Sequence, residues 1–254
     1  MTFLHVDSDG PPDAAPVVLV HGTAASSRSW YAMLPHLTAA HRVIRVDLPG
    51  CGSSAPPADY RVPGQARLVG EALDRLGTGP AVVAGHSSGG AIATALAEER
   101  PDLVTALALI NTGPSMDSYI APSFAFDPSD WSSLTESQLR QTVAQAFAPG
   151  FEVPQDAVDQ VRAMNFETFA ATSVALRNYL TERPLPDRLA TLGKPLLVIF
   201  GELDLRWRAA SAADYLRVPD AQVEVLPHAG HTPIVEDAAT TASLLLAFAA
   251  AVKH

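Results

Sequence analysis

Three short stretches carry residue types that can do chemistry together. The pentapeptide Gly85-His86-Ser87-Ser88-Gly89 fits G-x-S-x-G with Ser87 at its centre. It follows an apolar run, Ala81–Ala84, and opens a helix-like segment, Gly90–Glu99, which is the strand–turn–helix context this motif requires. A turn that sharp holds its central residue in a strained conformation and leaves no room for side chains two positions away. Ser88 has the wrong flanks, His86 and Gly90. Alone, the pentapeptide also fits a tight turn without chemistry. A serine hydroxyl needs a base, and the base needs a carboxylate to orient it. His231, in the loop His228-Ala229-Gly230-His231-Thr232-Pro233, can be that base, with His228 as its rival. Asp204, just past the apolar run Leu196–Phe200, can be the carboxylate, with Glu202 as its rival. His21-Gly22-Thr23-Ala24 follows another apolar run, where an N–H after the glycine can face a substrate carbonyl oxygen.

Such residues must be held by a framework, and the apolar pattern describes one. Val17–Val20, Val43–Val46, Ala81–Ala84, Ala106–Ile110, Leu196–Phe200 and Val223–Leu226 are short and rich in Val, Ile and Leu, without polar alternation. Strands buried on both faces of a parallel sheet read this way. Helical spacing lies between them, as in Gln65–Leu76, Arg208–Leu216 and Thr240–Val252. The alternation predicts a doubly wound, mostly parallel α/β sheet, whose ligands gather beyond the carboxyl ends of the strands. From Gly113 to Leu192 no parallel strand is expected. Helices are predicted over Glu136–Phe147 behind a Thr135/Gln138 capping box, over Gln155–Met164 and over Phe166–Leu180. The interval carries Phe124, Phe126, Trp131, Phe147, Phe151, Phe166, Phe169 and Tyr179, of which two to four are expected to line a pocket.

Composition narrows the function classes. The chain has 254 residues, 48% hydrophobic and 17% charged, with a net charge of −10. A diffuse acidic surface argues against nucleic acid and anionic membranes as partners. One cysteine, Cys51, permits no intrachain disulfide. MTFLHVDSDG lacks a basic segment followed by an apolar core, so no secretory leader and a cytoplasmic location are expected. His5, His36, His41 and His254 form no cluster with metal-ligand spacing, and no phosphate loop or dinucleotide fingerprint is present, so neither metal nor cofactor is expected. Of the remaining candidates, His21 reads as a loop anchor, His86 as a neighbour of the elbow, Asp47 as a turn builder and Cys51 as a small buried residue. Arg206, Trp207 and Arg208 read as a helix start with solvated arginines.

Taken together, VVLVHGTAASSRSW, VIRVDLPGCGSS, VVAGHSSGG, LLVIFGELD and HAGHTP resemble the α/β-hydrolase family over nearly the whole chain. The resemblance implies Ser87 as nucleophile, His231 as general base and acid, Asp204 as orienting carboxylate, and the backbone N–H groups of Thr23 and Ser88 as oxyanion hole. It implies about seven strands, a core of residues 1–113 and 193–254, and a helical cap, 114–192, inserted after the sixth core strand. Only Phe3–Asp7 can serve as an antiparallel strand before the HG strand, which leaves open whether one edge strand is missing. Some members take their acid from the end of the strand before the cap; Ile110-Asn111-Thr112 offers none, which favours Asp204. A serine at the elbow excludes the epoxide-hydrolase and haloalkane-dehalogenase branches. The expected partners are water and a small to medium apolar ester or lactone, next to Ala24, Trp30, Trp131, Phe147 and Phe166. A thioesterase, a carbon–carbon bond hydrolase acting on a diketone, and perhydrolysis use the same machinery. A ligand sensor with little turnover stays open, as does the choice of monomer or homodimer.

Overall fold

In the computed structural model, which describes residues 3–121 and 128–252, the short apolar runs become strands because none is long enough to bury a helical stripe. Seven strands form one sheet among these residues: β1 (Val6–Asp9), β2 (Pro16–Val20), β3 (Arg42–Val46), β4 (Ala81–His86), β5 (Val104–Ile110), β6 (Leu196–Gly201) and β7 (Gln222–Leu226). Their spatial order is β1-β3-β2-β4-β5-β6-β7. All neighbours are parallel except β1, which runs antiparallel to β3. The helices in chain order are α1 (Leu34–Leu37), α2 (Val62–Leu76), α3 (Ser88–Glu99), α4 (Glu136–Ala144), α5 (Gln155–Ala163), α6 (Phe166–Glu182), α7 (Leu185–Leu189), α8 (Pro233–Glu236) and α9 (Ala238–Ala251).

Both faces of the sheet are covered, so the strands read as continuous apolar runs. Val18, Val20, Val83, Leu107 and Val198 join one core with residues of α2 and α3. Val17, Leu19, Val82, Ile110 and Ile199 join the other with residues of α1 and α9. The order reverses direction at β2, whose neighbours are β3 on one side and β4 on the other. The loops after β2 and β4 therefore leave the sheet at the switch point where a ligand crevice forms. Register brings the carboxyl ends level: Val20 pairs with Gly85, His86 with Ile110, and Ile110 with Ile199.

Several expectations shift. The first strand is Val6–Asp9 rather than Phe3–Asp7, because Val6 pairs with Val46 and Asp9 with Val43. The helical interval follows the fifth strand of the described chain, not the sixth, since a single strand precedes the HG strand. Arg208–Leu216 becomes a 3₁₀ helix, Ala209–Arg217. The capping box forms as the residues dictate: Thr135 Oγ1 accepts from the Gln138 N–H and Gln138 Oε1 accepts from the Thr135 N–H. Phe124, Phe126 and His254 lie outside the described residues. Among the described residues no helix is long and apolar enough to cross a membrane.

Candidate active site

The elbow strain is visible at Ser87, whose φ of 55° and ψ of −123° are uncommon for a residue with a side chain. Its two glycines answer a steric demand. A Cβ on Gly85 would lie 2.4 Å from the Gly89 carbonyl oxygen, and one on Gly89 would lie 2.3 Å from that of Val20. The turn is tied to β5, since the Ser87 N–H donates to the Ile110 carbonyl at 2.9 Å and Thr112 Oγ1 donates to the Ser87 carbonyl at 2.9 Å. Ser87 thus stands just before the N-terminus of α3, whose first N–H groups have no intrahelical acceptor.

Residues far apart in the chain converge on that serine. His231 Nε2 lies 2.9 Å from Ser87 Oγ, and His231 Nδ1 lies 2.9 Å from Asp204 Oδ2. Asp204 and His231 are 5% and 3% exposed. Burial works to raise the Asp204 pKa, but the charge and hydrogen bond of His231, with donors from Asn111 and the Arg206 N–H, hold it below the usual carboxylate value. Its Oδ1 accepts from the Arg206 N–H at 2.7 Å and the Trp207 N–H at 3.2 Å, and its Oδ2 accepts from Asn111 Nδ2 at 2.7 Å. An ionised Asp204 only accepts, so the proton of this pair sits on His231 Nδ1, and the Nε2 lone pair faces the serine hydroxyl. His228 and Glu202, the rivals, are exposed.

The loops around this chain of bonds are anchored by residues the sequence singled out and by two it did not. The Leu48 N–H donates to His21 Nε2 at 2.9 Å, which leaves the His21 Nδ1–H to bond the Gly22 carbonyl at 2.8 Å. Burial pushes the His21 pKa down, in keeping with this neutral form. Asp47 accepts from the Ser27 and Ser53 N–H groups. His86 Nε2 donates to the His231 carbonyl at 2.8 Å, and burial followed by the neighbouring His231 pushes its pKa to about 3. Burial raises the Cys51 thiol to about 12. Asn111, with φ of 45°, donates to Asp204 and to the Gly230 carbonyl and accepts from the Gly201 N–H. Glu236 accepts from the N–H groups of Ala148, Gly230 and Thr232. Asn111 was visible only as a missing carboxylate, and Glu236 had no motif to mark it. Thr23 Oγ1 donates to Ser88 Oγ at 2.9 Å, which links the loops bearing their two backbone N–H groups.

Ser87 and His231 open into a cavity of about 310 Å³. Ala24, Trp131 and Phe147 line it, but Trp30 and Phe166 do not. Trp30 is fully buried on the other face of the sheet with Met33 and Leu37, because the 3₁₀ turn Ser27–Trp30 directs it there. Phe166 packs 5.5 Å from Trp131, outside the lining. Met116, Val161, Phe169 and Leu176 complete the apolar wall. Of the expected aromatic set, Trp131, Phe147 and Phe169 reach the cavity. Arg206, half-buried, and Trp207, buried, also line it, and Arg208 is exposed, which corrects the reading of that tripeptide. Among the described residues no group of three or more His, Cys, Asp or Glu side chains could hold a metal ion.

Comparison with known proteins agrees with this architecture. A family model described as alpha/beta hydrolase fold matches residues 15–238. A dihydrolipoyllysine-residue acetyltransferase component of the acetoin cleaving system, from Pseudomonas putida, is 30% identical over 94% of this chain; the chain spans 64% of that relative's length, less than two thirds. A pimeloyl-[acyl-carrier protein] methyl ester esterase from Aeromonas hydrophila subsp. hydrophila is 29% identical over 86% of this chain and 89% of its own. The crystal structure of a hydrolase from Pseudomonas aeruginosa PA01 superposes with a TM-score of 0.80 at 25% identity, covering 96% of this chain and 93% of the other.

Proposed function

Because the chain belongs to the alpha/beta hydrolase fold family, we propose that it is a serine hydrolase working through an acyl-enzyme on Ser87. The observation that carries this reading is the unbroken hydrogen-bonded chain from Ser87 Oγ through His231 to Asp204, opening into an apolar cavity. Ser87 Oγ attacks the carbonyl carbon while His231 Nε2 takes its proton. Asp204 keeps the imidazole oriented and offsets its positive charge. The backbone N–H groups of Thr23 and Ser88 receive the negative charge that develops on the carbonyl oxygen. His231 then gives its proton to the leaving alcohol, whose departure completes the acyl-enzyme. Water, deprotonated by His231, attacks the acyl carbon and releases the acid.

In this reading residues 114–192 act as a cap that supplies Trp131, Phe147 and Phe169 to the cavity, over a core of 1–113 and 193–254. The apolar wall suits a small or medium acyl group in an ester or lactone. The methyl ester esterase among the relatives supports an ester. The test uses a serine-directed phosphonate, with mass mapping of the adduct, and p-nitrophenyl ester turnover. A single adduct on Ser87 and turnover, both lost in a folded Ser87→Ala variant, are expected. No adduct and no turnover in the wild-type protein would overturn the reading.

A further inference from the structure

The cavity wall holds an arginine that forms no ion pair with any carboxylate among the described residues. Arg45 and Arg188, which are buried, each meet two carboxylates: Asp7 and Asp9 for the first, Glu98 and Glu182 for the second. Arg206 differs. It lines the cavity that contains Ser87 and His231, and no carboxylate among the described residues lies within ion-pair distance of it. Its Nε is shielded from solvent and has no hydrogen-bond acceptor. The side chain is half-buried, so its charge, which a guanidinium keeps under all ordinary conditions, is partly withdrawn from water, at a cost that an anion in the cavity would offset.

Its backbone is fixed on both sides. The Arg206 carbonyl accepts from the Ile120 N–H at 2.9 Å, the Arg208 N–H donates to the Ser118 carbonyl at 2.8 Å, and the Arg206 N–H holds Asp204. Next to it Trp207 packs edge-on against Tyr119 at 5.0 Å. The side chain is therefore presented from a rigid wall. The lining contains no Asp or Glu, while a second cation, Arg177 on α6, stands exposed at its edge. Asp204 itself is already bound by four donors. In a molecule of net charge −10, this cavity is a positive recess beside an acyl-transfer site.

We infer that Arg206 is a subsite for a carboxylate, so that the substrate is an ester whose acyl chain carries a second acid group, the monoester of a small dicarboxylic acid. The fork of the guanidinium matches a carboxylate edge and fixes the far end of the acyl chain while its ester carbonyl lies at Ser87. This inference rests on the hydrolase reading for what happens at Ser87, but the anion subsite is separable from it.

The experiment compares monomethyl esters of C4 to C8 dicarboxylic acids with methyl esters of the monocarboxylic acids of the same length, by pH-stat titration. The wild-type protein is expected to favour the acid-bearing ester at its best chain length by about ten- to hundredfold in kcat/KM, the worth of one charged hydrogen-bonded pair. Arg206→Met abolishes that preference, chiefly through KM, and Arg206→Lys, a charge without the fork, restores part of it. Circular dichroism and phosphonate labelling establish that the variants are folded. Equal turnover of both ester series by the wild-type protein, or a preference that survives in Arg206→Met, overturns the subsite and leaves the hydrolase reading standing. If no ester is turned over and no phosphonate adduct forms, the hydrolase reading falls. The subsite is then decided by thermal stabilisation with glutarate: a wild-type shift absent in Arg206→Met upholds it, and no shift overturns it.

Discussion

Glu236→Gln tests whether one carboxylate positions the histidine loop. Glu236 Oε2 accepts from the Ala148 N–H at 2.7 Å and the Gly230 N–H at 2.9 Å, and Oε1 accepts from the Thr232 N–H at 2.8 Å. It thus grips the residues on both sides of His231. A glutamine has one acceptor oxygen. Its best orientation keeps the two bonds of Oε2 and turns an NH₂ group against the Thr232 N–H. One charge-assisted bond is lost, and two become neutral. With about 1.5–3 kcal/mol for a bond to a charged group and about 1 for a neutral one, and a discount for partial exposure, the cost is about 2–3 kcal/mol. For a chain of this size that lowers Tm by about 5–10 °C. Because His231 Nε2 must stay at 2.9 Å from Ser87 Oγ, a loosened loop lowers kcat by about ten- to hundredfold and leaves KM nearly as it was. Calorimetry and p-nitrophenyl ester kinetics read both quantities. A variant with unchanged Tm and with kcat within about twofold of the wild type refutes the positioning role.

Four further outcomes follow from the same geometry. Asn111→Asp places a second carboxylate where a donor now lies 2.7 Å from Asp204 Oδ2, so the acid limb of the kcat/KM profile moves to higher pH by about one unit or more. Gly89→Ala drives a Cβ into the Val20 carbonyl, and chemical denaturation is expected to show a loss of several kcal/mol or no soluble protein. Ser88→Ala removes the partner of Thr23 Oγ1 but keeps the N–H, so kcat falls by about threefold to tenfold, against about 10³-fold or more for Ser87→Ala. His86, neutral in the folded state down to about pH 3, takes up a proton in the unfolded chain near 6.5, so acid favours unfolding in the window between those values. Urea midpoints of the wild-type protein are expected to fall from pH 6.5 to pH 4 more steeply than those of His86→Gln.

The parts of the site legible in the sequence were those dictated locally. An elbow with φ of 55° demands space at Gly85 and Gly89, and that demand writes itself as a five-residue pattern. The helix stripe of α6 carried Phe169 and its neighbours in the right period, but period alone does not say which side meets a cavity. Phe166 and Trp30 were misjudged for that reason: both are large and apolar, and only packing turns one behind Trp131 and the other to the far face of the sheet. Arg206 was misjudged for the opposite reason. An arginine after an aspartate ordinarily faces water, and its seat in the wall depends on the distant segment Ser118–Ile120.

The sequence by itself determined the strand–helix alternation, the family resemblance and the position of the elbow serine, because these rest on steric and periodic rules that act over a few residues, and it left Glu202 and His228 as rivals to Asp204 and His231. Only the tertiary structure decided that His231, rather than His228, meets Ser87 and that Asp204, rather than Glu202, meets His231, that Asn111 and Glu236 hold them, and that a cation faces the cavity. Apart from the bonds of Glu236 to nearby Gly230 and Thr232, those outcomes depend on contacts between residues roughly thirty to one hundred and fifty positions apart, formed where the carboxyl ends of parallel strands come level, and no local pattern encodes them.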